Sequence, residues 1–576
     1  MAIEFSDSIS IVLCGAAGQG IATVETLLTS ALKKSGFHVF STQEFMSRVR
    51  GGTNSTTIRV STNRVQSYCE KIDILVPFTR EAVSHVKNRL SSISCIIGNK
   101  KLFESNSDAQ SCILVDVNYE AVAEEIGHRV YSNSVAVGVL AGLLQTDRQL
   151  IAGLMADRFQ SKGEKIVNNN IEAVKRGCDL ADEIMSSNQL PPLPSLINQP
   201  SVSSELYLSG RDAVALGAIA GGCNYVIFYP MAPSTGVGAF LARNRLKFGI
   251  VSDQTEDEIS AINKAFGAWY AGARALVTTS GGGFALMTEG LSLAGVTEMP
   301  LIIHLGQRPG PATGMPTRTE QGDLELVLYS GHGDFPRVIY APGTLKEAFL
   351  MTQQAFNIAA KYQVPVIILT DHYFINTSYN LPSLDYENTI VEKHLIETQS
   401  GYQRYQFTED GISPRGIPGR GEGFIRVDSH THTQNSQITE DPVIRKNMVD
   451  KMFKKLQQLK EVAIKPNFLG NSEDEVLVIS WGSTFHNVKG AITELGKKGH
   501  SLSYLHFSQV YPIHRSTSDY LKKAKKIVMV ENNATGQFAQ QLYLEFGIKM
   551  TRKVLKYTGY PFSIEELVKE LEKELK

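Results

Sequence analysis

Residues 225–240 read YVIFYPMAPSTGVGAF. The run up to Tyr229 is short and apolar, as in a strand covered on both faces of a parallel sheet. Pro230 and Pro233 then stop it, because neither can donate an N–H to a ladder. Ser234 or Thr235 stands where a side-chain oxygen caps the helix that continues through GVGAFLARN. Strand, stiff turn and helix make one βα unit. The turn holds residues 229–234 rigidly at a sheet's carboxyl edge. As it stands, the stretch reads equally as a strand stop with a helix cap.

Similar units lie on both sides. Downstream come strands GIVSD, RALVTTS, PLIIHLGQ, RVIYAP and PVIILTD, alternating with helices such as TEDEISAINKAFGAWYAG and TLKEAFLMTQQAFNIAAKY. That alternation predicts a parallel sheet. Upstream, ISIVLCG, HVFSTQ, STTIRVST and DILVPF read as strands around the helix GIATVETLLTSALKKSG. A Pro- and Ser-rich segment without period 2 or 3.6 follows, and reads as a linker. Beyond 377 the pattern lapses into turn chemistry (DGISPRGIPGRGEG). A polar helix, DPVIRKNMVDKMFKKLQQLK, then leads to strands EVLVISWG, LSYLHF and KIVMVEN. The expected division is 1–185, a linker 186–205, 206–385, an excursion with connecting helix 386–465, and 466–576. The fold class is α/β, with three parallel-sheet domains.

The chain has 576 residues, too many for one core. Its formal charge of −1 offers no basic field for nucleic acid. No apolar run reaches the ~20 residues that cross a bilayer, and the first residues lack a signal-peptide pattern. A soluble, cytoplasmic protein is expected, without a membrane or nucleic-acid partner. Six cysteines, at 14, 69, 95, 112, 178 and 223, show no CxxC spacing. They imply neither a disulfide framework nor an iron–sulfur or zinc site in this chain.

Ligands of open parallel sheets bind beyond the carboxyl ends of strands. Four such ends in the middle domain carry chemistry. The first is the opening turn. The second is TEDE at 255–258. Thr255 and Glu258 fit a capping box, and Glu258 could equally serve as a proton donor or acceptor fixed at a helix start. The third is TTSGGGF, where Gly281 and Gly282 free backbone N–H groups for an anion or a ring. The fourth is GQRPGPATGMPTRTEQGD, a stiffened loop with Arg308 and Arg318, whose guanidinium forks suit a carboxylate. GAAGQG at 15–20 follows a strand, but Ala17 stands where a dinucleotide fingerprint needs glycine, and no acidic residue ends the next strand. His430 and His432 lack further nearby ligands, so no metal is assigned.

Together these blocks resemble the α subunit of 2-oxoacid:ferredoxin oxidoreductases, in the form with a γ domain fused at the N-terminus. The resemblance spans nearly the whole chain. GAAGQG, SRVRGGTNSTTIRVS and NSVAVGVLAGLL look like γ-domain signatures. FYPMAPST, EDEISAINKAFGAWYAGARALVTTSGGGFALMTEG and GQRPGPATGMPTRTEQGDL look like α-subunit blocks. RYQFTEDGISPRGIPG, ISWGST and VENNATGQ continue the likeness to the end.

The resemblance implies a thiamine-diphosphate-binding pyrimidine fold in the middle and a transketolase C-terminal-like fold last. It implies oxidative cleavage of a 2-oxoacid to CO2 and an acyl-coenzyme A, with electrons passing to ferredoxin. The cofactor is shared with a β subunit, which carries Mg2+ and a [4Fe–4S] cluster. A heterodimer or a dimer of heterodimers is implied. Glu258 would face the aminopyrimidine, and Arg308 would hold the substrate carboxylate. Tyr229, Pro230, Pro233, Gly281 and Gly282 would line the cofactor, and Ala232, Ser234 and Thr235 the substrate. Ala232 departs from the threonine that the family turn usually carries, so Ser234 or Thr235 is expected to supply a hydroxyl. Residues 210–213 and the segment near His432 depart too. By analogy 2-oxoglutarate is the favoured acid. Pyruvate, a branched-chain or an aryl 2-oxoacid is the alternative. A non-catalytic scaffold paralogue is a further one, kept open by Ala232 and opposed by Glu258 and Arg308.

Overall fold

The computed structural model describes residues 7–46, 52–187, 189–190, 193–471 and 474–575. Residues 47–51 of the SRVRGG stretch and residues 188, 191 and 192 of the expected linker lie outside these. The chain divides into two compact units: Met1–Leu208 with Thr377–Ser383 and Ser563–Glu565, and Ser209–Asn376 with Leu384–Phe562 and Glu566–Lys576.

The first unit is built on one eight-stranded sheet. Ser8–Ala16 runs parallel to Ile74–Pro77, which is followed outward by Cys95–Gly98 and Ile113–Asp116. On its other side Ser8–Ala16 pairs antiparallel with Thr53–Ser61, and that strand with His38–Glu44. The sheet is therefore mixed, where strand–helix alternation led us to expect a parallel one. Only residues 45–52 separate Thr53–Ser61 from His38–Glu44, too few for a crossover connection, so Thr53–Ser61 returns antiparallel. Thr377–Leu381 joins beside His38–Glu44, so this short piece leaves the middle domain, to which 206–385 assigned it. Ile, Val and Leu from one face of the sheet pack beneath helices Ile21–Lys34, Ser132–Leu143 and Glu164–Ser186, and those of the other face pack against helix Glu81–Val86. Pro200–Ser204, inside the expected linker, forms a 3-10 turn.

Gly20 caps helix Ile21–Lys34 in the left-handed region. The GAAGQG turn is filled by its own chain. Gln19 accepts from Ala16 N (2.7 Å) and donates to the Phe78 carbonyl (3.2 Å), and Asn133 donates to the Gln19 carbonyl (2.9 Å).

The second unit holds two sheets. The seven-stranded one contains Val251–Gln254, Tyr225–Phe228, Ala275–Ser280, Leu301–Gln307, Pro365–Asp371 and Val338–Tyr340 in that spatial order, all parallel. Gln509–Tyr511 closes the far edge antiparallel. That last strand comes from the 466–576 segment, so the middle and last domains of the sequence reading share a sheet. The five-stranded sheet is parallel through Ser503–Phe507, Val476–Trp481, Lys526–Glu531 and Arg552–Leu555, with Asn467–Leu469 antiparallel at one edge. Near-continuous apolar strands bury on both faces, as doubly covered sheets require.

Between the sheets in sequence, the excursion is fastened by buried cations. Glu298 sits between Lys451 and Lys455 of helix Pro442–Glu461, all almost fully buried. Arg404 adds hydrogen bonds to the Thr297 and Glu298 carbonyls. Burial raises the Glu298 carboxyl, but Lys451, Lys455 and Arg404 outweigh it and hold it far below the ordinary range. Burial brings Lys455 down to about 8. A helix that reads as polar thus turns two lysines inward.

Candidate active site

Val251–Gln254, Tyr225–Phe228, Ala275–Ser280 and Leu301–Gln307 are neighbours in one parallel sheet, so their carboxyl ends open side by side. Three segments leave these ends and supply the site.

The first is the proline turn. Ser234 Oγ donates to the Met231 carbonyl (2.8 Å), and Thr235 N reaches the same oxygen (3.2 Å). Helix Thr235–Arg243 therefore begins without the side-chain cap expected of Ser234 or Thr235. Ser234 is already helical in φ and ψ, and is fully buried, so its hydroxyl turns back into the turn. Pro233 packs over Gly306. Tyr229, Pro230 and Ala232 stay exposed, and Thr235 is half-buried.

The second is the helix Glu258–Tyr270. Its N-cap is Asp257, which accepts from Ser260 N (2.7 Å), while Thr255 Oγ1 donates to the Asp257 carbonyl (2.9 Å). The Thr255–Glu258 capping box is thus absent. The helix starts at Glu258 itself, and the nearer, shorter Asp257 side chain takes the capping role. Glu258 is 3% exposed, and its Oε1 has no hydrogen-bond partner. An unmet buried acceptor costs about 1–3 kcal/mol, which a ligand donor would recover.

The third combines the glycine run and the arginine loop. Gly281–Leu286 is helical directly after the strand, not the expected loop. A side chain on Gly283 would collide with Glu258 Oε1 and Thr279 Oγ1, and one on Gly281 with the Asp323 carboxylate. Gly282, singled out with Gly281 from sequence, meets nothing closer than the Ala312 carbonyl at 3.6 Å. Arg308, 9% exposed, donates from Nη1 to the Ala232 carbonyl (2.8 Å). Position 232 thus contributes its main chain, which is the same for alanine and threonine. Burial lowers the Arg308 guanidinium, and the Asp323 charge opposes that shift.

The far end of the arginine loop is sewn to the five-stranded sheet. Gln321 donates to the Trp481 carbonyl (2.8 Å) and the Asn532 carbonyl (2.7 Å), and accepts from Asn532 N (3.0 Å). Thr319 N reaches the Gly559 carbonyl (3.1 Å), and Gln537 the Gly322 carbonyl (2.9 Å). Arg318 lies over the Tyr560 ring, 4.9 Å from its centroid. Arg308 is consequently held from both ends.

The sequence reading missed Gly283, Asp323 and Gln307. Asp323 N donates to Gln307 Oε1 (3.0 Å), a contact between residues sixteen apart that no local pattern announces. Among the described residues no group of three His, Cys, Asp or Glu could hold a metal. His432 stacks on Tyr405, with centroids 3.8 Å apart, and its Nδ1 meets the His430 carbonyl.

Two family models match the chain. One, described as pyruvate flavodoxin/ferredoxin oxidoreductase, thiamine diP-binding, covers residues 216–451, and so contains the whole site. The other, pyruvate ferredoxin/flavodoxin oxidoreductase, covers 10–180. A Sulfolobus 2-oxoacid:ferredoxin oxidoreductase subunit alpha is 30% identical over 99% of this chain and 97% of its own length. The 2-oxoglutarate synthase subunit KorA of Archaeoglobus fulgidus is 33% identical over 64% of this chain and 99% of its own. Among solved structures, the 2-oxoglutarate:ferredoxin oxidoreductase of Magnetococcus marinus, with 2-oxoglutarate, coenzyme A and succinyl-CoA bound, superposes with a TM-score of 0.93. It has 28% identity and covers 99% of this chain and all of that one.

Proposed function

The chain belongs to the family of 2-oxoacid:ferredoxin oxidoreductase α subunits, and from this premise we propose that it forms the pyrimidine-side half of a thiamine-diphosphate site for oxidative decarboxylation of 2-oxoglutarate. It is an oxidoreductase with a thiamine-diphosphate-binding domain. The products would be succinyl-CoA and CO2, with two electrons passing to ferredoxin through clusters on a β subunit. That subunit would also hold the diphosphate and Mg2+. The named 2-oxoglutarate enzymes of similar sequence and fold support the choice of acid.

The observation that carries this reading is the unpartnered, buried Glu258 Oε1 beside Gly283. Thiamine diphosphate, when bound, supplies a nucleophilic carbon for the 2-oxo group and an electron sink for loss of CO2. An aminopyrimidine needs a carboxyl group against ring nitrogen N1′, and Glu258 offers a fixed oxygen with its hydrogen-bonding capacity unused. Glu258 would hold and return the proton at N1′. Gly282, which meets nothing closer than the Ala312 carbonyl, would let a flat ring approach the backbone there. Arg308 would take the substrate carboxylate and fix the 2-oxo carbon, a positioning effect. Exposed Tyr229, Pro230 and Ala232, with half-buried Thr235, would wall the same space.

Co-expression with a cluster-bearing β-type subunit should give a brown complex that reduces viologen with CoA, fastest on 2-oxoglutarate. This chain alone should be colourless and bind thiamine diphosphate poorly. A colourless complex with no activity on any 2-oxoacid would refute the proposal, and a preference for pyruvate would refute the choice of acid.

A further inference from the structure

Asp323 lies at the end of the arginine loop with its carboxylate against the bare Cα of Gly281. Its backbone N–H is fixed by Gln307 Oε1, one residue before Arg308. Asp323 Oδ2 has no hydrogen-bond partner, and neither has Arg308 Nε. The two side chains feel each other's charge without forming a salt bridge. Arg308 uses Nη1 on the Ala232 carbonyl instead. Ser280 pairs with Gly306 across the sheet, so the Asp323 carboxylate at Gly281 stands by the strand end from which Arg308 leaves, and the arginine assigned to a substrate carboxylate feels a second, built-in one.

We propose that Asp323 is a positioning residue: an ionisable counter-charge for Arg308 that competes with the substrate's carboxylate when it is deprotonated. The idea rests on the assignment of Arg308 to that carboxylate. Burial first, and the neighbouring Glu320 charge second, push the Asp323 carboxyl up to about 7, while Arg308 opposes the rise. The helix Gly281–Leu286 packed against it carries no titratable side chain, and the strand Leu301–Gln307 ends in uncharged Gln307. The charged groups facing Asp323 are therefore Glu320 and Arg308. Below about pH 7 Asp323 is neutral, and Arg308 is left to the substrate. Above it, the carboxylate draws on the guanidinium and weakens substrate binding. A 2-oxoacid is itself ionised throughout this range, so the inflection belongs to the protein.

The test is the pH dependence of KM for the 2-oxoacid, measured on the co-expressed complex at saturating CoA from pH 6 to 8. The wild type should show KM rising about fivefold across an inflection near 7, the size expected of a partly screened charge. The inflection should appear in KM rather than in kcat. Asp323→Asn should flatten the profile. Glu320→Gln, which leaves Asp323 in place, should move the inflection to lower pH by removing a neighbouring negative charge. Arg308→Ala should raise KM at every pH. An unchanged KM in Arg308→Ala would overturn the arginine assignment. A raised KM there, together with a wild-type inflection surviving in Asp323→Asn, would overturn the role of Asp323 alone.

Discussion

Glu258 and Glu531 are both buried glutamates near a helix start, and they are opposites. Glu531, fully buried, accepts from Trp481 Nε1 (3.1 Å), Asn533 Nδ2 (2.8 Å), Phe538 N (3.0 Å) and Ala539 N (2.9 Å). Every donor comes from the five-stranded sheet or the turn and helix that follow it. Glu258, 3% exposed, has an oxygen with no donor at all. Desolvation penalises both carboxylates, and hydrogen bonds offset it in only one. A saturated carboxylate fastens a turn to a helix. An unsaturated one leaves bonding capacity for a ligand.

The sharpest way to break this contrast is to change each glutamate to glutamine and read two properties. Glu258→Gln should lower kcat of the complex by about a thousandfold, within the range of general acid–base groups, while melting within a few degrees of wild type. A fall in melting temperature matching the fall in activity would make Glu258 a scaffold residue like Glu531. Arg308→Ala should cost less, raising KM about a hundredfold through loss of a charge-assisted contact. Loss confined to kcat would detach Arg308 from substrate binding. Glu531→Gln should leave KM alone but destabilise the fold by about 2 kcal/mol, because an amide N–H₂ now faces backbone donors. Chemical denaturation of the complex measures this.

The glycines refine the comparison further. Gly283→Ala should lower activity strongly, because a methyl there displaces Glu258, whereas Gly282→Ala should leave the melting temperature unchanged or slightly raised, since alanine favours a helix. Equal effects at both positions would show that the glycine wall is not specific to Glu258.

The smallest expected effect is a pH response of stability. His304 is buried between Thr278 and Thr370, and burial lowers it to about 3. Its folded value lies below its unfolded one, so the unfolded chain binds a proton that the fold refuses. Stability should be full at neutral pH and fall between about 6.5 and 3. His304→Asn should soften that acid limb in calorimetry.

Much of the site was legible in order along the chain. Glu258, Arg308 and the proline turn stand at strand ends, where a parallel sheet places its ligands. What local pattern misjudged was which atoms are free. Thr255 and Glu258 fit a capping box by spacing, yet Asp257 caps. Ser234 matches a cap by type, yet its hydroxyl serves the Met231 carbonyl. Three adjacent glycines look alike in sequence, and only Gly281 and Gly283 have a carboxylate against them. Helix Pro442–Glu461 reads as polar, yet Lys451 and Lys455 bury against Glu298.

By itself, then, the sequence determined the α/β class, the run of strands in the seven-stranded sheet and the residue types at its carboxyl edge. It could do so because apolar runs, proline stops and glycine-rich turns act within a few residues of themselves. Tertiary structure decided the rest. It brought Thr377–Leu381 into the first sheet and Gln509–Tyr511 into the second. It pinned the arginine loop through Gln321 to Asn532, and tied Asp323 N to Gln307, the residue before Arg308. Those pairings join residues far apart in the chain, and burial then fixed which carboxylates were satisfied and which were left open.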